Sequence, residues 1–229
     1  TNHTIKPHGA DTLQPRFVAD ASEHAKLTAE AAALPSVLIS SAAAGNAVMM
    51  GAGYFTPLSG YMNLADSLSV AEKVQTTKGL FWPVPIVNVL KDISAIKGAK
   101  RIALRDPNVD GNPVIAVMDV DTIDEASDEQ MQFMAQHIFS TLDDKHPGVA
   151  TFLSAGRFLV SGAIHVLNYS YFPQEFPDTF RTATQIREEI AQRGWKKVVA
   201  FQTRNPMHRA HEELCRMAQE RLQADGIVI

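Results

Sequence analysis

Two hydrophobic rhythms divide the chain. Up to about residue 167 the apolar positions come in short runs or alternate in strand fashion. These are Val37-Leu38-Ile39, residues 82–90 with prolines at their start, Arg101-Ile102-Ala103-Leu104-Arg105, residues 114–120, and residues 157–167. Short β-branched runs bounded by turn signals such as Asp106-Pro107 and Asp110-Gly111-Asn112-Pro113 predict a mostly β, barrel-like unit. Two stretches inside it change to helical rhythm. Residues 24–33 are alanine-rich, and residues 127–139 put Met131, Met134, Ala135 and Ile138 on one face, a stripe read as core. A weaker helix is expected over 42–50, starting near Asn46. Residues 168–178, with Pro173, Pro177 and several aromatics, read as a linker between domains.

From Thr182 the rhythm becomes helix, strand, helix, strand. Thr182-x-x-Gln185 forms a capping box, Ile186 and Ile190 stack at helical spacing, and Gly194 is placed to close the helix with a left-handed cap. Val198-Val199-Ala200-Phe201 is apolar without alternation, as suits a parallel strand covered on both faces. Asn205 then reads as an N-cap and Pro206 as the first residue of a helix. That helix would carry Met207, Ala210, Leu214, Met217, Ala218 and Leu222 on one face. Asp225-Gly226 reads as a turn into a second parallel strand. A lone strand–helix–strand cannot cover both faces of its own sheet, so the domain ending at Ile229 is expected to be truncated.

The candidate chemistry lies between that strand and that helix. His208 and His211, three apart, are neighbours on a helical surface beside the free N–H groups of the first turn. Arg204 adds a fixed fork of donors, and Gln202, Thr203 and Asn205 add polar side chains. All converge at the carboxyl end of a strand, where open α/β sheets bind ligands. The chemistry this suits is binding and transfer of phosphate or another oxyanion. A zinc-protease helix would need histidines four apart with a glutamate between them; here Arg209-Ala210 intervenes, and no metal ligand is assigned. Glu212 and Glu213 read as a solvated face, and Cys215 as a buried, inert thiol.

Composition narrows the alternatives. The 229 residues are 45% apolar and 20% charged with a net charge of −4, which describes an ordinary globular chain and offers no electrostatic case for nucleic acid. Any anion site must therefore be local. One cysteine cannot form an internal disulfide and fits a reducing compartment. No apolar run has the length of a membrane span and the start lacks a signal-peptide shape, so no membrane partner and a cytoplasmic location are expected.

Gln202-Thr203-Arg204-Asn205-Pro206-Met207-His208-Arg209-Ala210-His211 resembles the Q-x-R-N-P-x-H-x-x-H signature of the ATP sulfurylase (sulfate adenylyltransferase) family. Pro7-His8-Gly9 is similar to the family's N-terminal start, although Ala10 stands where a second glycine is more usual. Gly51-Ala52-Gly53-Tyr54-Phe55-Thr56-Pro57-Leu58-Ser59-Gly60-Tyr61-Met62 is similar to a turn-rich family segment. It lacks the ending of a Walker loop and is read as structural, as is His8. Asp143-Asp144-Lys145-His146-Pro147-Gly148-Val149 resembles a further element, chiefly architectural. The resemblance spans the chain but only the family's N-terminal half or so, and the family's later Gly-Arg-Asp-His-Ala-Gly-type motif has no counterpart here.

The resemblance implies an α/β protein: a mostly-β PUA-like barrel over 1–169, then over 170–229 the start of a Rossmann-like α/β nucleotidyltransferase domain. It implies adenylyl transfer, in which ATP and sulfate give adenosine 5′-phosphosulfate and pyrophosphate, reversibly. Gln202 and Arg204 would hold sulfate, His208 and His211 the phosphates, and Thr203 and Asn205 the reacting groups. Mg2+ would travel with the nucleotide, and the enzyme would be a homo-oligomer. Two other readings stand beside it: another HxxH-type adenylyltransferase, and a non-catalytic RNA-binding PUA-like module.

Overall fold

The architecture is that of a computed structural model, which describes residues 4–229. The chain divides into two compact units, residues 7–180 and residues 181–229 with 4–6. The first runs α1 (Ala21–Ala31), β1 (Ser36–Leu38), α2 (Ser41–Gly51), β2 (Gly60–Tyr61), α3 (Leu64–Lys73), β3 (Val89–Leu90) and a 3-10 turn at Ser94–Ile96. It continues with β4 (Arg101–Arg105), β5 (Val114–Glu125), α4 (Asp128–Phe139), α5 (Pro147–Ser154), β6 (Phe158–Val166) and α6 (Phe172–Glu175). The six strands make one mixed sheet in the order β1-β4-β5-β6-β2, with β3 also on β6. β1 is parallel to β4, and the other pairs are antiparallel.

Strand alternation sends neighbouring residues to opposite faces, and both faces are apolar here. Ile102 and Leu104 of β4, with Ala116 and Met118 of β5, join α2 in the main core. Ala103 and Val117, one residue out of step, meet Leu27 and Ala31 of α1 on the other side. The small residues of α2 let it lie close to the sheet: a Cβ on Gly51 would sit 2.8 Å from Val166. Met131 and Met134 of α4 pack with Val89 and Leu159, so the methionine stripe is core.

Several expectations need correction. α2 begins at Ser41, five residues before the expected start near Asn46, because the Ser40 side chain caps it by accepting the Ala43 N–H. The strand expected over 82–90 pairs only at Val89–Leu90, since Pro83 and Pro85 have no N–H for a ladder. α3 and α5 lie where only turns or strands were read. Asn63 caps the first and His146 the second, and the second is too short to establish a period. The segment read as a linker carries α6 instead, and Tyr169, Phe172 and Phe180 pack against the main core.

The second unit runs α7 (Ala183–Gln192), β7 (Val198–Ala200), α8 (Arg209–Leu222) and β8 (Gly226–Val228). The Thr182–Gln185 capping box is formed and Gly194 takes φ 68°, as the sequence implies. β7 and β8 pair in parallel, from Val198↔Gly226 to Ala200↔Val228. A Cβ on Gly226 would meet the Trp195 ring at 2.3 Å, so β8 starts at a glycine because the indole lies against its backbone. Val198 and Val199 are half-buried and Ala200 is exposed, whereas a strand covered on both faces was expected. A two-stranded sheet with few apolar neighbours in this unit cannot cover them.

Candidate active site

The site is built on the turn from β7 into α8. Phe201 N donates to the Val228 carbonyl at 2.8 Å, continuing the parallel pairing for one bond. The chain then corners. Thr203 Oγ1 accepts the Asn205 N–H and donates to the Asn205 carbonyl, both at 3.1 Å, so this hydroxyl is spent on shaping the turn. Gln202, Arg204 and Asn205 are exposed, and among the described residues no hydrogen bond or ion pair engages their side chains.

The helix begins later than the sequence implies. His208, not Asn205, is the N-cap, with φ −136° and ψ 175°, and Pro206 stays outside the helix. The cause is a reciprocal capping box made by two histidines. His208 Nδ1 accepts the Ala210 N–H and His211 Nδ1 accepts the His208 N–H, each at 3.3 Å. The rings lie 4.0 Å apart between centroids and are tilted by 37°, and Phe201 packs 5.8 Å from His211. With Thr203 bonding the Asn205 backbone and His208 capping the helix, the Asn205 side-chain amide is left unengaged.

The face of α8 is also rotated from expectation. Leu214, 53% exposed, faces outward, while Cys215 is 8% exposed and is a free thiol; Leu222, on the Cys215 side, is exposed at the last turn, and Met207 lies before the helix. Successive residues are 100° apart, so packing through Cys215, with His211 and Ala218 half-buried beside it, turns the Leu214 side out. Periodicity finds an apolar stripe; it does not say which edge of the stripe meets this sheet.

One organising residue escaped the sequence reading. Asp225 Oδ2 accepts the N–H groups of Lys197 at 2.8 Å and Lys196 at 2.7 Å, fixing the start of β7 against the turn into β8. Those two backbone donors, Lys197 first, hold its carboxyl below the usual carboxylate range. Its signal was the Asp-Gly turn itself, where a short acidic side chain bonds nearby backbone. Glu213 is drawn to the Arg216 guanidinium, which lowers its carboxyl, and Arg216 also bonds Glu220. Both acids are thereby held to Arg216, away from the β7–α8 corner.

The corner thus gathers one guanidinium, two amides, two imidazoles and a helix start, with no carboxylate bonded into it. That set stabilises negative charge on oxygen. Among the described residues, no group of three or more His, Cys, Asp or Glu is placed to hold a metal ion. The remaining candidates lie in the first unit and have structural partners there. His8 Nε2 bonds the Phe81 carbonyl at 2.7 Å, and His146 Nδ1 accepts the Gly148 N–H at 3.2 Å to start α5. No helix among the described residues is long and apolar enough to cross a membrane.

Comparison with known proteins sets this corner in context. Residues 5–169 match the family model of the PUA-like domain, and residues 177–229 match that of ATP-sulfurylase. The sulfate adenylyltransferase of Alcanivorax borkumensis is 69% identical over 225 residues, covering 98% of this chain and 56% of that protein. The one from Allochromatium vinosum is 62% identical over 225 residues, covering 98% and 57%. The one from Thiobacillus denitrificans is 38% identical over 226 residues, covering 98% and 54%. A solved structure titled hexameric APS kinase from Thiobacillus denitrificans superposes with a TM-score of 0.74 at 24% identity. It covers 98% of this chain and 39% of that one, a likeness of fold. The class defined is a mixed α/β protein with a PUA-like domain ahead of the β7–α8 corner. The chain belongs to the ATP-sulfurylase family. It spans about half the length of the curated relatives it matches.

Proposed function

We propose that the chain is the N-terminal portion of a sulfate adenylyltransferase and carries part of its active site. The observation that carries this reading is the β7–α8 corner, with Arg204, Gln202 and Asn205 unengaged beside the paired histidines. It is supported by relatives named sulfate adenylyltransferase at up to 69% identity. A sulfate oxygen attacks the α-phosphorus of ATP. The bond from that phosphorus to the bridging oxygen breaks, and pyrophosphate leaves with the electron pair. Sulfate is already an anion at neutral pH, so little proton transfer is needed, and rate comes from positioning and electrostatics.

In this reading Arg204 grips sulfate bidentately and Gln202 donates a further bond. His208 and His211 stabilise the phosphates and the leaving pyrophosphate, Asn205 helps hold the reacting groups, and Thr203 keeps the corner in shape. Mg2+ arrives with the nucleotide. The domain over 1–169 is taken as a PUA-like barrel, and that over 170–229 as the opening of a Rossmann-like nucleotidyltransferase domain. A cytoplasmic homo-oligomer completes the proposal; the structural neighbour whose title names a hexamer supports self-association.

The test is molybdate-dependent release of pyrophosphate from ATP by the natural full-length polypeptide. Molybdate replaces sulfate, and its mixed anhydride with AMP hydrolyses, so equilibrium does not stall turnover. Release that requires both ATP and molybdate is the expected result. Release indifferent to molybdate but dependent on a phosphorylated small molecule would replace sulfate with another acceptor.

A further inference from the structure

We infer that His208 and His211 present the same atom to a ligand, a protonated Nε2, and that His211 is a positioning residue for His208. The inference rests on the reading of the 202–211 corner as an oxyanion site. A backbone N–H can only donate, so each Nδ1 that receives one must carry a lone pair. His208 Nδ1 receives the Ala210 N–H and His211 Nδ1 receives the His208 N–H. A neutral imidazole has one proton, which is then on Nε2 in both rings. Each ring keeps one free polar atom, and that atom is a donor. The pair therefore cannot take a proton through Nε2 in this state; it supplies two uncharged N–H groups beside the charge of Arg204.

The residue types strengthen the point. A capping box is ordinarily Ser or Thr with Glu or Gln three residues on, and those side chains would satisfy the same backbone donors. Two histidines add nothing to the cap that Ser and Gln would lack. What they add is a second nitrogen on each ring, beyond the one the helix uses. The coupling is directional as well. His211 holds the N–H of His208, and the tilted rings touch with centroids 4.0 Å apart, so His211 fixes the backbone from which the His208 ring projects.

The test uses the protein labelled with 15N in histidine, with long-range 1H–15N correlation at neutral pH. The two rings are assigned by the signals lost in His208→Asn and His211→Asn. The Nε2–H pattern is expected for both; an Nδ1–H pattern or an imidazolium in either ring overturns the assignment. His211→Gln retains an acceptor three residues into the cap, and His211→Ala does not. The Gln variant should keep the His208 ring signature and the slow exchange of the His208 amide. In the Ala variant that amide should exchange roughly tenfold faster and the ring signature should change. A His208 ring and amide unchanged in His211→Ala would overturn the positioning role. None of these readouts needs a ligand or turnover. Correct tautomers without pyrophosphate release would thus sink the functional reading alone, and the reverse result would sink this one alone.

Discussion

Gly60 of β2 lies so close to Gly162 of β6 that a Cβ built at position 60 would stand 1.7 Å from the Gly162 carbonyl oxygen. Gly162 is pressed from its other side, with its own Cβ position 1.9 Å from the Asp119 carbonyl oxygen. Three strands thus converge on backbone alone, next to the register shift in β5 between Val120 and Thr122. The obstructing atoms are main chain and cannot rotate away. Gly60→Ala should therefore destabilise by at least the upper end of the about 1–3 kcal/mol typical of overpacking. Gly45→Ala, in α2 with nothing within 4 Å of its Cβ position, should stabilise by about 0.5–1 kcal/mol. Thermal melts of the two variants should move in opposite directions. A Gly60→Ala protein melting with the parent would disprove the close approach.

Tyr61, the next residue, is buried and donates its hydroxyl to the Ala43 carbonyl of α2 at 2.6 Å. Burial drives its phenol well above the ordinary range, so the group is a neutral donor at any working pH. Tyr61→Phe keeps the ring and removes the bond. The Ala43 carbonyl remains within its own helix, so the loss should be about 1 kcal/mol. Urea unfolding should show a lower midpoint at unchanged slope; an unchanged midpoint would mean that the bond adds nothing.

The strands β4, β5 and β6 and the helix α4 could be read from the sequence because their apolar period coincides with the buried face. Met131 and Met134 are core, and Ile102 and Ala103 alternate between faces as the pattern demands. What could not be read was decided by partners distant in sequence. Asn63 and His146 start α3 and α5 through local caps, but nothing nearby distinguishes those caps from turns. Tyr169 and Phe172 looked like linker residues because a segment rich in proline and aromatics gives no hint that Phe17 and Phe180 await it. At the candidate site, the residues stood out from the sequence as a set, yet their division of labour did not. Histidine has no special standing as an N-cap in propensity terms, so the sequence points to Asn205. The reciprocal bonds between His208 and His211 are set by the geometry of the turn, which neither residue type announces.

Asp119 joins two strands by accepting from Arg101 Nε at 2.6 Å and His165 Nε2 at 2.8 Å. The Arg101 bond is the larger cause, with His165 second, and together they hold the carboxyl below the usual range. A carboxyl lowered on folding contributes stability above its unfolded value, about 3.9, and loses it as pH falls through the folded value. Asp119→Asn should therefore be less stable than the parent at neutral pH, and the gap should narrow below about pH 4. Guanidinium unfolding across that range measures it. A gap that stays constant down to about pH 2 would assign the difference to packing instead of charge.

Arg204 separates fold from function most cleanly. Its side chain is exposed and engages no partner among the described residues, so Arg204→Ala should leave stability within about 0.5 kcal/mol. If its guanidinium grips sulfate and persists into the transition state, kcat/KM for sulfate or molybdate should fall by roughly 100-fold or more. Arg204→Lys keeps the charge but not the planar fork, so it should recover only a minor part of that loss. The split between kinetic constants carries the assignment. A rise in KM alone would make Arg204 a ground-state clamp, whereas a matching fall in kcat would place its effect where pyrophosphate departs. Turnover unchanged in both variants, with the fold intact, would remove Arg204 from the site. The oxyanion would then rest on Gln202, Asn205 and the two Nε2–H donors, a set with no fixed positive charge to hold a dianion.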